Sequence, residues 1–197
     1  MKRLPVYLAM IFLTACAVPG PLPDDEYYRL PPVSAAVDPR PLTDGVIFVE
    51  QFFAEGIYRE RSLLYSDDPE GLVLKRYHYH HWIVTPSRLI RDHFIDYLRA
   101  AREAAQVVST ADIPAQLSIY GRIRHFERRL TASGVTVVVG LEFRVNRASA
   151  ESPLLLKAYN RSEELRDDSM TASVRAFARL LGDIYGELVE DIRARGG

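Results

Sequence analysis

One cysteine stands among 197 residues, at position 16, so no disulfide can form within the chain. Positive charge is not in excess either. The formal net charge is -1 and no basic tract is long enough to track phosphates, so nothing here points to a nucleic-acid partner and none is expected. There is no P-loop, no G-x-G-x-x-G after a strand, no G-x-S-x-G elbow and no H-x-x-x-H pair on a helix. A Ser–His–Asp set would have to be assembled from scattered residues. The expectation is a protein that is not an enzyme and uses no cofactor. No internal repeat is visible. The apolar run from Leu4 to Ala15 falls short of the ~20 residues that span a bilayer.

What is present begins with that run. Lys2 and Arg3 precede it and small residues close it, the layout of a secretory signal. Leu13-Thr14-Ala15-Cys16 resembles the lipobox of bacterial lipoproteins, whose cysteine sulfur receives a diacylglyceryl group before cleavage makes it the mature N-terminus. A chance cysteine in the run would leave an exported protein with no anchor. A redox role would have to be played from a flexible terminus. Residues 1–15 are therefore expected to be a lipoprotein signal peptide and Cys16 the lipid-attachment site, carrying palmitate-like chains. More than one acyl chain holds a membrane stably where a single chain is marginal. By resemblance to the bacterial sorting pattern, Ala17 in place of an aspartate implies the periplasmic face of the outer membrane. Loss of Lys2 and Arg3 with the signal takes the net charge from -1 to -3.

Residues 16–45 hold seven prolines and two glycines after the cysteine and read as an extended tether. Inside it, Glu26-Tyr27-Tyr28-Arg29-Leu30 is too apolar for a linker and is expected to add an edge strand. Residues 46–197 suit one α/β domain with a single core. VIFVEQFF, IYRERSLLYS and LVLKRYHYHHW read as strands, with a turn at Asp67 to Gly71. Thr85-Pro86-Ser87 opens a helix in which Leu89, Ile90, Phe94, Tyr97 and Leu98 recur at helical spacing through about Ala104. AQVVST is a short strand. Gln116–Leu130 and Val135–Ala148 are long strands, the second alternating Val137, Val139, Leu141, Phe143 and Val145 against polar residues. LLLKAYNRSEEL follows. From Ser169 to about Arg193, Val174, Phe177, Leu180, Leu181, Ile184, Leu188, Val189 and Ile192 form one helical stripe. The fold expected is an α/β two-layer sandwich, a largely antiparallel sheet with two amphipathic helices packed on one face.

The candidate site is KRYHYHHW. On a regular strand His78 and His80 share one face, while Tyr77, Tyr79 and His81 share the other. Two imidazoles two residues apart can share a metal, but no third ligand is defined and His93 and His125 stand alone. A partly exposed aromatic–histidine strand at a protein contact fits better, so no metal is expected. Asp67, Asp68, Glu70, Asp167 and Asp168 sit at turns and helix starts, where they cap or solvate, and Ser169 is placed to cap the last helix. Arg122, Arg124, Arg128, Arg129, Lys75, Arg76 and Arg144 read as a solvated cationic face, or as a surface for an acidic rim or anionic headgroups. Arg88, Arg91 and Arg99 lie opposite the first helix's apolar stripe.

Lipobox, YYRL, and Tyr58 to Trp82 followed by Pro86 and the Leu89–Leu98 helix together resemble the auxiliary lipoprotein family of bacterial ABC-type transport systems. That family includes the lipoprotein component of paraquat-inducible, MCE-type intermembrane lipid transport systems. Tyr58-Arg59 stands where the family has its Y-R, Tyr77 stands for the second tyrosine, and Trp82 for the tryptophan. His81 replaces the common arginine and Thr85-Pro86 the proline pair. The resemblance implies a non-enzymatic lipoprotein that docks to or caps an MCE-type conduit driven by an inner-membrane ABC ATPase and permease. A homo-oligomeric ring is a further implication. Tyr28, Tyr58, Arg59, Tyr77, His78, His80, His81 and Trp82 become candidate partner-contact residues. The alternative is a periplasmic carrier that binds lipid or another apolar ligand itself, which needs an open apolar cleft rather than a filled core.

Overall fold

The long alternation in the second half of the chain decides the architecture. The computed structural model describes residues 23–196 apart from positions 69 and 133. Cys16 and the signal segment lie outside the described residues. The elements are β1 (Glu26–Tyr28), β2 (Val46–Val49), a 3-10 turn (Gly56–Arg59), β3 (Ser62–Ser66), β4 (Lys75–Trp82), α1 (Pro86–Ala101), β5 (Gln106–Val108), β6 (Leu117–Thr131), β7 (Gly134–Arg147), β8 (Leu155–Leu165) and α2 (Met170–Gly196).

β6, β7 and β8 form an antiparallel meander, with Gly121 opposite Phe143 and Leu141 opposite Tyr159. These are the long ladders. The parallel ladders are short: β2 with β5 and with β6, β3 with β6, and β1 with β4. β2 pairs with β6 at Ile47–Leu117 and β3 pairs with it at Tyr65–Arg128, at opposite ends of one edge. The chain between them therefore swings outward. That is why VIFVEQFF and IYRERSLLYS, expected as continuous strands, are paired only at Val46–Val49 and Ser62–Ser66. Phe53 keeps a single bridge to Arg122, and Gly56, at φ 54°, makes the bend.

Both helices cover one face of the sheet. Leu89, Ile90, Phe94 and Leu98 of α1, and Phe177, Leu181, Ile184, Tyr185 and Leu188 of α2, join Val137, Val139, Leu141, Phe143 and Val145 in one buried cluster. Pro86 at the first turn suits the start of α1, and Arg102 in a left-handed conformation (φ 57°) ends it. The Ser169 hydroxyl accepts the Ala172 N–H at 3.1 Å and so caps α2. Gly121 has a packing reason: a Cβ there would sit 2.7 Å from the Phe52 ring. The helix–sheet interface is filled.

Residues 29–45, expected as part of a free tether, instead strap across the helices from β1 to β2. Leu30, Val33, Ala35 and Leu42 are partly buried against the core, and Val33 seats on Gly182. His93 Nε2 lies 3.0 Å from the Pro31 carbonyl, and Thr43 N–H donates to the Glu103 carbonyl at 3.3 Å. Arg193 fastens the far end, donating to both Glu103 oxygens at 2.9 Å with Asp38 3.8 Å away. Proline stiffens this segment, but its apolar residues find a helix surface to cover, so it packs. The spacer before β1 is correspondingly short.

Candidate functional site

β4 is the strand singled out by its sequence, and it is irregular. Ser62 pairs with His81 while Leu64 pairs with Arg76, so three residues of β3 lie against six of β4. The extra residues break the alternation. Tyr77 and His80, expected on opposite faces, meet edge-on with ring centroids 5.4 Å apart, and Tyr77 also packs on Tyr65 at 4.5 Å. β1 completes the edge, with Glu26, Tyr27 and Tyr28 beside His80, His81 and Trp82.

The side chains of β1 clasp the two histidines. Tyr28 Oη lies 3.1 Å from His80 Nδ1, and Glu26 lies 3.4 Å from the same nitrogen. His81 Nε2 is 3.6 Å from Asp25, with the Tyr27 ring 5.5 Å away. Burial, together with the neighbouring Glu26 carboxylate, pushes the Tyr28 phenol well above its usual range. His78 stays exposed, apart from this group. Among the described residues no three His, Cys, Asp or Glu side chains gather to hold a metal.

Beneath the cluster lies Arg128, which belongs to no solvated face. It is 5% exposed and donates to the Tyr77 hydroxyl and the Asp168 carbonyl. Its guanidinium also stands 5.4 Å from the Tyr77 ring. Burial raises the Tyr77 phenol, while Arg128 partly opposes that shift. Arg128 thus ties β4 to the turn before α2. Sequence pattern concealed this because the bulge at Ile123–His125 in β6 shifts the facing of the arginines that follow.

The remaining candidates separate. Trp82, expected at a partner contact, is 1% exposed and packs on Phe126 at 5.1 Å and edge-on to Phe177 at 5.4 Å. It is a core residue, because the end of β4 lies under α2, where Phe177 meets the indole. Tyr58 reaches inward and donates to Glu127 at 2.9 Å, and Phe126 N–H donates to the same carboxylate at 2.7 Å. Burial, and then the Glu127 charge, push the Tyr58 phenol well up. Arg59 is exposed on the 3-10 turn. Of the other expected surface cations, Arg122 pairs with Glu55 at 2.8 Å and Lys75 with Asp67 at 2.7 Å.

Two surface features carried no sequence signal. A cleft of about 500 Å³ between β1 and the start of α2 is lined by Tyr27, Tyr28, Pro31, Ile83 and Val174, with Arg29 and Arg175 at its rim. The β3–β4 connection carries Leu72 and Val73, exposed by 78% and 51%. Both read as ordinary strand residues until the turn is seen.

The architecture places the protein among α/β two-layer sandwiches. No family model matches the chain, and no curated protein matches it. Solved structures do. A Xanthomonas campestris protein of the family DUF330 aligns with a TM-score of 0.74 at 16% identity, covering 83% of this chain and 92% of that one. An uncharacterized protein aligns at 0.71 and 15% identity, covering 86% and 99%. The hypothetical protein CT253 from Chlamydia trachomatis aligns at 0.50 and 12%, covering 78% and 96%. At these identities the likeness is one of fold. Among the described residues no helix is long and apolar enough to cross a membrane.

Proposed function

We propose that this chain is a non-enzymatic lipoprotein, anchored through acylated Cys16 at the periplasmic face of the outer membrane. There it docks to or caps an MCE-type conduit of an ABC-driven intermembrane lipid transport system. The lipobox and the Tyr58–Trp82 resemblance support the reading. The observation that carries it over the carrier reading is the filled helix–sheet interface, where Phe52, Phe94, Phe143, Tyr159 and Tyr185 pack ring against ring. That packing disfavours a lipid site inside the sandwich and supports an activity of surfaces. Tyr27, Tyr79, His78 and the outer edge of β8 offer them. Self-assembly into a ring belongs to the same proposal, with strand edges on both sides of the sheet that pair with nothing among the described residues.

Cross-linking in intact membranes followed by pull-down tests the docking role. Recovery of an MCE protein is expected, and its repeated absence would sink the adaptor. Light scattering on the purified protein tests the ring, which a monomer at high concentration would contradict. The carrier reading retains one favourable observation, the apolar cleft beside β1. Native mass spectrometry showing a stoichiometric co-purified lipid would move the assignment there.

A further inference from the structure

Leu72 and Val73 sit on a built turn rather than a loose loop. Asp68 accepts the Leu72 N–H through its carboxylate at 2.6 Å and the Gly71 N–H through its carbonyl at 2.9 Å. Gly71 takes a φ of 71°, where a side chain would be strained, and packs against Arg129. Lys75 is neutralised by Asp67. The fold therefore holds two apolar side chains out into solvent, and Leu72 is the more exposed of them. Two adjacent apolar side chains held out on a fixed turn make a small apolar projection, where Leu156 and the other exposed apolar residues stand singly.

The topology points to what covers it. β1 runs parallel to β4, with Glu26 beside His80 and Tyr28 beside Trp82. The chain therefore enters β1 from the Lys75 end of β4, the end that carries the turn. From Glu26 back to Cys16 there are ten residues, a reach of about 30–35 Å when extended. From the level of His80 to Lys75 the strand advances about 15–17 Å in the same direction, and Leu72 lies beyond. The strap formed by residues 29–45 adds no reach, since it is fastened to the helices. A chain continued in that direction for ten residues reaches the level of the turn and past it, so an acylated Cys16 and the turn can meet one bilayer.

We propose that the β3–β4 turn is a second membrane contact, with Leu72 and Val73 inserting into the interfacial region of the bilayer that holds the Cys16 acyl chains. This rests on the lipid-anchor reading. The contact orients the domain so that the opposite end, where Leu156 lies exposed beside Arg144, faces away from the membrane.

The test uses the chain's lack of a second cysteine. With Cys16 acylated, Leu72→Cys supplies a single free thiol, and Leu156→Cys supplies one at the far end. Each full-length acylated variant is labelled with nitrobenzoxadiazole and reconstituted into phosphatidylethanolamine–phosphatidylglycerol vesicles. The label at 72 is expected to shift to the blue and to lose at least half its emission to nitroxide-bearing lipid, while the label at 156 does neither. Adding Val73→Asp should reduce the quenching at 72 severalfold. An acylated protein that floats with the vesicles but keeps position 72 in water overturns the insertion and leaves the anchor standing. A label at 72 that responds only when a partner protein is added overturns it in favour of a protein contact. Mass spectrometry showing no lipid on Cys16 would remove the anchor reading, and with it the geometry that this contact depends on.

Discussion

Replacing Arg193 by methionine should unlatch the strap in a pH-dependent way. Arg193 donates to both oxygens of Glu103, a carboxylate that is 2% exposed. Thr43 of the strap donates to the carbonyl of that same residue. Methionine keeps the stem and removes the charge, leaving Glu103 buried and unpaired. Breaking a buried pair costs about 3–5 kcal/mol, and the partial exposure of Arg193 argues for the lower end, about 3 kcal/mol near neutral pH. In a domain of this size that lowers Tm by about 6–12 °C. Burial already holds the Glu103 carboxyl above its ordinary range, with Arg193 opposing that shift. The folded protein therefore keeps its proton to a higher pH than the unfolded chain does. Stability falls as pH rises through that interval, and removing Arg193 widens it. Urea unfolding followed by the fluorescence of Trp82, the one tryptophan and a core residue, should show the largest loss at pH 8 and a smaller one at pH 5. The Glu103→Gln/Arg193→Met pair should recover most of the difference. A loss below about 1 kcal/mol at pH 8, or one that grows toward pH 5, would refute the latch.

Gly121→Ala should destabilise by about 1–3 kcal/mol, because its Cβ meets the Phe52 ring at 2.7 Å; chemical denaturation measures it, and a neutral result would mean that Phe52 has room to turn. His93 is held below its usual pKa by burial, while the Pro31 carbonyl opposes that shift. Its stabilising contribution is complete above the unfolded value near 6.5 and is lost as pH falls through the folded one. A pH titration of stability should show this component, and His93→Gln should abolish it. Cys16→Ser should release or mislocalise the protein on membrane fractionation, and unchanged outer-membrane recovery would count against acyl anchoring. Leu72→Asp/Val73→Asp should leave folding stability within about 0.5 kcal/mol, since both side chains face solvent; a larger loss would show that the turn is part of the core.

Legibility followed the range of the interactions. The stripe from Val174 to Ile192 and the alternation from Val137 to Val145 were plain because each records a local period against one buried face. The β1 segment was visible as an apolar interruption in a proline-rich run. Irregular pairing was not visible. Nothing in KRYHYHHW marks the register break that joins Tyr77 to His80, and nothing in the β6 arginines says that Arg128 alone turns under the sheet. Trp82 was misplaced for the same reason: an aromatic at the end of an exposed strand reads as surface until α2 is laid over it.

The sequence by itself determined the two helices and the meander, since a hydrophobic period is written in neighbouring residues, and it is the sole source of the lipobox reading of Cys16. Only the tertiary structure decided that residues 29–45 lie on the helices, leaving nine residues between Cys16 and β1. It also decided that β1 enters parallel to β4, from the end of the sheet that carries the apolar turn. Those outcomes depend on which distant surfaces meet, and side-chain chemistry read along the chain does not specify that.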